Sequence, residues 1–229
     1  MNLQAEQEKT TTGAGAPAHE QVYRSLRARI LFGELEPGQA VTIQGLTEQL
    51  NAGMTPVREA LRRLTAEGAL EFQGNRRICV PVLTATAVDE LTIARRALEP
   101  ELARMAARQV TGDQVAALRD TDRRLDRAIA RGDVRGYLEE NYRFHAELNA
   151  MAEAPILTSL VEGLWLRFGP SLRVVCGLFG TRNLPDMHKD LLIALDSGDS
   201  AAAARAMEGD VVQGMCQIRA GLGDSIDIR

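Results

Sequence analysis

The chain has 229 residues, of which 45% are hydrophobic and 25% charged, enough for one or two soluble domains with a buried core. A formal charge of −4 excludes a uniformly basic nucleic-acid binder, and no long apolar run offers a membrane span. Charge is nonetheless uneven. Residues 18–82 hold eight arginines against seven acidic residues, and residues 83–229 hold 18 basic against 22 acidic ones, which permits DNA contact from one end.

Residues 1–17 are polar and aperiodic and are expected to form a disordered arm. With no basic n-region or apolar h-region there, a cytoplasmic location is expected. From His19 to Phe32, Val22, Leu26, Ile30 and Leu31 recur at helical spacing, and Gly33 stops the helix. Pro37-Gly38 marks a turn. Thr42 can cap a second helix reaching about Leu50, with Ile43, Leu46 and Leu50 inward. Gly53 is expected to break it with positive φ. Thr55-Pro56, a hydroxyl cap followed by proline, is expected to open a third helix whose buried face is Val57, Leu61 and Leu64. ALEF (69–72), a Gly74-Asn75 turn and RRICVPV (76–82) read as two short strands.

Beyond Thr84 the period is helical throughout. Helices are expected over 86–109, 112–131, 133–152, 155–179, 184–197 and 199–221, forming an antiparallel bundle of six. The fold class is therefore mainly α: a winged helix-turn-helix of three helices and a two-stranded wing over 18–82, then an all-α bundle over 83–222. The three cysteines, Cys79, Cys176 and Cys216, share no short spacing and read as buried, reduced thiols.

On the third helix, Arg58 and Arg62 share the face opposite Val57, Leu61 and Leu64, so the helix can pack on its domain and offer guanidinium groups to guanine or phosphate. The same spacing also suits a solvated face, with Glu59 and Glu67 paired to Arg62 and Arg63. In the bundle, Asn141 and His145 lie at i and i+4, His188 opens a later helix, and Asp210 follows 22 residues on. Two imidazoles and two oxygen donors can hold a divalent transition metal with positions left for a ligand. Spacing alone equally suits a local Asn–His hydrogen bond.

Residues 19–82 resemble the winged helix-turn-helix of the GntR family, most specifically in TPVREALRRL followed by AEGAL and in the upstream GELEPG. The resemblance implies that Thr55, Arg58 and Arg62 lie at the DNA groove. It also implies that Gly74, Asn75 and Arg76 form the wing tip, and that Gln44 contacts phosphate or base. Gly53 and Met54 stand where the family usually carries Ser-Arg, so an altered operator or a lower affinity is expected. NYRFHAELNAMAEAPIL and HKDLLIALDSGDSAAAARAMEGD look like the FCD effector domain of GntR regulators, over roughly residues 87–218. That implies Asn141, His145, His188 and Asp210 as ligands of zinc, nickel or manganese, although Asp is commoner at the first place and His at the last.

By the same match Arg95 occupies an inward-pointing arginine's place, able to take a small carboxylate together with the metal. The competing reading pairs Arg95 with Glu99 at i+4. Arg173 and Trp165 are further pocket candidates, Trp165 also a core one. The expectation is a homodimeric repressor on double-stranded operator DNA, released by a small organic acid. The alternatives are a metal-dependent enzyme using His145 and His188, or a constitutive architectural DNA binder.

Overall fold

A computed structural model describes residues 17–74, 77–181 and 187–224. Apart from Pro17, the expected disordered arm lies outside these residues, as do Asn75 and Arg76. The N-terminal part contains α1 (Ala18–Leu31), β1 (Ala40–Val41), α2 (Ile43–Leu50), α3 (Met54–Ala66), β2 (Glu71–Gln73) and β3 (Arg77–Cys79). Leu26 and Ile30 of α1 and Val57 and Leu64 of α3 are fully buried, and together they form the core of this part.

Three local features differ from expectation. The left-handed residue after α2 is Asn51 (φ 46°), whereas Gly53 stays at φ −69°. Asparagine tolerates that region better than other side chains, so the break falls two residues earlier. Gly53, not Thr55, is the N-cap of α3, and Pro56 falls inside the first turn, where its missing N–H costs no helical bond. The sheet has three antiparallel strands in the order β1-β3-β2, because Ala40 and Val41 pair with Cys79 and Ile78. A two-residue strand carries no period that a sequence can reveal.

The helical part contains α4 (Ala85–Ala106), α5 (Gly112–Arg131), α6 (Val134–Met151), α7 (Pro155–Phe179), α8 (His188–Ser197) and α9 (Ser200–Asp224). Side-chain oxygens start four of them: Thr84 accepts from Ala87 N, Thr111 and Gln114 form a reciprocal capping box, Asp133 accepts from Gly136 N, and Asp199 accepts from Ala201 N and Ala202 N. α4 lies along α9, α5 along α6, and α8 against α5 and α9, which turns the inner faces of α4, α6, α8 and α9 toward one interior.

α7 joins the two parts. At Gly169 a Cβ would stand only 2.4 Å from the carbonyl oxygen of Leu31, so glycine is required for α7 to approach the end of α1 this closely. Arg27 of α1 reaches Glu162 of α7 at 3.6 Å, and Phe32 meets Tyr142 of α6 edge-on at 5.9 Å.

Candidate functional site

Two sites stand at opposite ends of these contacts. On α3, Val57, Ala60, Leu61 and Leu64 are buried, and Met54, Thr55, Arg58 and Arg62 face solvent. Among the described residues neither Arg58 nor Arg62 has a hydrogen-bond or ion-pair partner. Arg63 is occupied differently. It lies 3.5 Å over the Tyr23 ring and bonds Glu67 (3.1 Å) and Glu20 (3.2 Å), while the Tyr23 hydroxyl donates to Glu67 at 2.9 Å. Glu67 is thus spent on Arg63, while Glu59 is exposed and pairs with neither Arg58 nor Arg62 among the described residues, so two guanidinium groups project free. Gln44 is exposed on α2, with its amide 3.3 Å from Glu48. Gly74 is exposed at the end of β2, whereas its expected wing partners Asn75 and Arg76 lie outside the described residues.

The second site is buried. His145 on α6, His188 on α8 and Asp210 on α9 offer donor atoms that all lie within 4.8 Å of one another. His145 Nε2 is 3.3 Å from Asp210 Oδ2, and His188 Nε2 is 3.8 Å from Asp210 Oδ1. Two ligands on one tetrahedral ion at zinc-like bond lengths stand about 3.4 Å apart, so this spacing fits a shared cation. Asn141 lines the same small cavity, with Arg95, Tyr137, Trp165, Phe168 and Gln217.

Each imidazole has a buried carboxylate behind it. Glu99 Oε2 lies 3.7 Å from His145 Nδ1, and Asp122 Oδ1 lies 3.4 Å from His188 Nδ1. Carboxylates at such places can fix which ring nitrogen faces inward once they close to hydrogen-bond distance. Burial opposes ionisation of Asp210, but the His145 hydrogen bond and both imidazoles outweigh it and hold the carboxyl well below its usual range. Burial likewise opposes ionisation of Asp122, and His188 and Lys189 overcome it and lower its pKa.

Arg95 is 3% exposed and Glu99 fully buried, and the two form a bidentate pair, with Nη2 3.1 Å from Oε2. The guanidinium also lies 4.2 Å over Phe168 and 5.1 Å over Trp165. Arg95 thus lines the cavity and is paired with Glu99, as the competing i+4 reading expects. Trp165 is core and wall at once, its ring 5.0 Å from that of His145, and its indole N–H has no partner among the described residues. Arg173 stands elsewhere. It is exposed on the far side of α7 against Gly33, where a Cβ would meet its side chain at 2.6 Å, and it does not line this cavity. Helical phase explains the difference, since Trp165, Phe168 and Leu172 occupy the inward stripe of α7 and Arg173 does not.

Sequence reasoning missed Asp122 altogether and saw Glu99 only as the i+4 partner of Arg95, not as the carboxylate behind His145. Each resembles an ordinary surface acid, Glu99 four residues after an arginine and Asp122 amid DTDRRLD; only an unexpected polar residue on an apolar stripe hinted at burial. The cavity encloses about 30 Å³, room for roughly one or two waters or an ion.

A winged domain with free arginines on its third helix, joined to a helical domain with a buried histidine–carboxylate chamber, is the architecture of a DNA-binding regulator. Residues 18–80 match the model of the bacterial regulatory proteins of the gntR family, and residues 90–211 match that of the FCD domain. The chain belongs to the GntR family of transcriptional regulators, in its FCD-bearing form. It is 32% identical over 152 residues to the HTH-type transcriptional regulator McbR of Escherichia coli (strain K12), covering 66% of this chain and 69% of that one. It is 28% identical over 195 residues to the HTH-type transcriptional repressor RspR of the same organism, covering 83% and 84%. The solved structure of E. coli McbR/YncC superposes with a TM-score of 0.83 at 27% identity, covering 89% of this chain and 98% of that one. These relatives are regulators, not enzymes, which sets the enzymatic alternative aside. Among the described residues, no helix is long and apolar enough to cross a membrane.

Proposed function

We propose that the chain is a homodimeric, cytoplasmic repressor whose hold on operator DNA is set by a divalent metal and a small organic acid in the histidine chamber. The observation that carries this is the convergence of His145, His188 and Asp210 within 4.8 Å of one another, beside Arg95 and Trp165. Asn141 supplies a fourth donor from the turn before His145. Nitrogen and oxygen donors of this kind suit zinc, nickel or manganese. When bound, the metal supplies Lewis acidity and open positions for a carboxylate oxygen. Asp210 is the one carboxylate among these four residues, so a divalent ion leaves the centre positive and favours an anion.

Effector entry demands movement, because about 30 Å³ does not hold an organic acid. Trp165, Phe168 and Leu172 of α7 form one wall, and α7 is also the helix seated on the winged domain. An acid that fits only a displaced wall therefore favours one arrangement of the winged domains over another. Dimerisation is supported by Ile156 and Leu160, one turn apart on α7, and Ile93 on α4, which are 78%, 54% and 70% exposed. Two winged domains are needed to read a palindromic site.

The test is to purify the protein, measure its metal content, strip it with chelator and follow thermal unfolding on adding back zinc, nickel or manganese, with and without small dicarboxylates. Stabilisation by metal that His145→Ala and His188→Ala abolish supports the reading. No metal-dependent stabilisation in the wild type refutes it.

A further inference from the structure

Met54, Arg58 and Arg62 fall at i, i+4 and i+8 of α3 and form one exposed stripe on the helix that the GntR resemblance assigns to the DNA groove. Large apolar side chains elsewhere on α3 are buried: Val57, Leu61 and Leu64 are at most 2% exposed, whereas Met54 is 53% exposed. Gly53, just before it, carries no side chain, and a Cβ there would touch only Pro56, at 3.6 Å. Met54 therefore stands uncovered and uncrowded at the leading end of the recognition helix.

We propose that Met54 is a specificity-determining residue, seating its thioether against the C5-methyl group of a thymine in each operator half-site. The major-groove edge of a base pair presents donors, acceptors and one apolar feature, the thymine methyl. A side chain with no donor and only a weak sulfur acceptor gains nothing by covering the polar features, since it strips water from them. It gains only against the methyl. Methionine is also unbranched and adaptable, so it can follow that methyl without demanding one fixed geometry. Four residues of helix rise about 6 Å, under two base-pair steps of about 3.4 Å each. The thymine read by Met54 therefore lies within one or two positions of whatever base or phosphate Arg58 contacts.

The experiment selects tight-binding duplexes from a random pool with the full chain, then replaces the half-site thymines one at a time by deoxyuridine, which removes only the methyl group. Burying one methyl is worth about a four-fold change, so a single replacement should weaken wild-type binding roughly four-fold and the symmetric pair roughly fifteen-fold. Met54→Ala, with unchanged thermal stability, should bind the thymine duplex as weakly as the wild type binds the uracil one, and should not respond to the replacement. The salt dependence of binding should be the same in both proteins, because no phosphate contact changes. A wild type indifferent to every deoxyuridine, or a penalty that persists in Met54→Ala, overturns the assignment. A chain that selects no duplex at all overturns the DNA-reading role of α3, on which the inference rests, and the assignment with it.

Discussion

The Arg167 guanidinium of α7 lies over Gly68, so close that a Cβ on Gly68 would stand 2.5 Å from Nη2. Gly68 follows the carboxyl end of α3 with φ +76°, and a cation there also meets the negative end of the helix dipole. Two residues earlier on α7, Trp165 walls the histidine chamber. One helix thus touches the sensing cavity on one side and the recognition helix on the other. A second aromatic route runs from Trp165 through Tyr142 (5.5 Å) to Phe32 (5.9 Å) at the end of α1.

Gly68→Ala should destabilise the protein through both its left-handed backbone and the displaced guanidinium. The backbone part is about 1–2 kcal/mol. Adding Arg167→Ala should recover the steric part and leave the backbone part. Chemical denaturation of the two single variants and the double variant measures this coupling. Strictly additive losses would mean that Arg167 does not depend on the space above Gly68.

Arg58 and Arg63 should behave as opposites although they lie on the same helix. Arg58→Ala should leave the melting temperature unchanged and cost about 1–3 kcal/mol of operator discrimination per half-site. Arg63→Ala should remove the Tyr23 stacking and the Glu20 and Glu67 bonds, costing about 1 kcal/mol of stability at this half-exposed position. Equal effects on melting and on DNA affinity in both variants would contradict the division of roles.

Breaking the Arg95–Glu99 pair from one side should be more harmful than removing it whole. Both groups are almost wholly buried, so Arg95→Ala leaves the Glu99 carboxyl without its guanidinium and with only His145 nearby, at a cost of about 3–5 kcal/mol. Arg95→Met with Glu99→Leu should be milder in denaturant titration.

How much was legible beforehand follows from what each feature imprints on the chain. Amphipathic helices and their caps do so locally, which is why Thr42, Thr84 and Thr111 announce α2, α4 and α5. The α3 stripe is also local, so the outward placement of Arg58 and Arg62 could be read from spacing. The resemblance carried Asn141, His145, His188 and Asp210, because nothing in a 22-residue interval dictates that α8 and α9 meet over α6. The Arg95–Glu99 pair could be read from its i+4 spacing, but its burial and that of Asp122 could not, since an acid beside an arginine looks alike on a surface and in a core. The left-handed turn at Gly68 is local, but the close approaches to Gly68 and Gly169 arise only when α7 docks on α1 and α3, between residues roughly a hundred or more apart in sequence.

The thiols should differ sharply in reactivity. Cys79 and Cys176 are buried and Cys216 is exposed, and burial pushes the Cys176 thiol up to about 12 despite nearby Arg173. A thiol reagent should modify one cysteine in native protein and all three after denaturation. Fast native labelling of Cys176, read by peptide mass, would show that α7 is less tightly seated than described.

Fluorescence anisotropy with a selected operator and a scrambled duplex, on metal-loaded and chelator-stripped protein, tests the link between chamber and DNA most directly. At physiological salt the loaded protein should prefer the selected duplex by about a thousand-fold or more. Stripping the metal, or His188→Ala, should change that preference without abolishing weak binding to both duplexes. Equal affinity for the two duplexes, or a preference indifferent to metal and to His188, would contradict a regulator whose grip on DNA is governed from the histidine chamber.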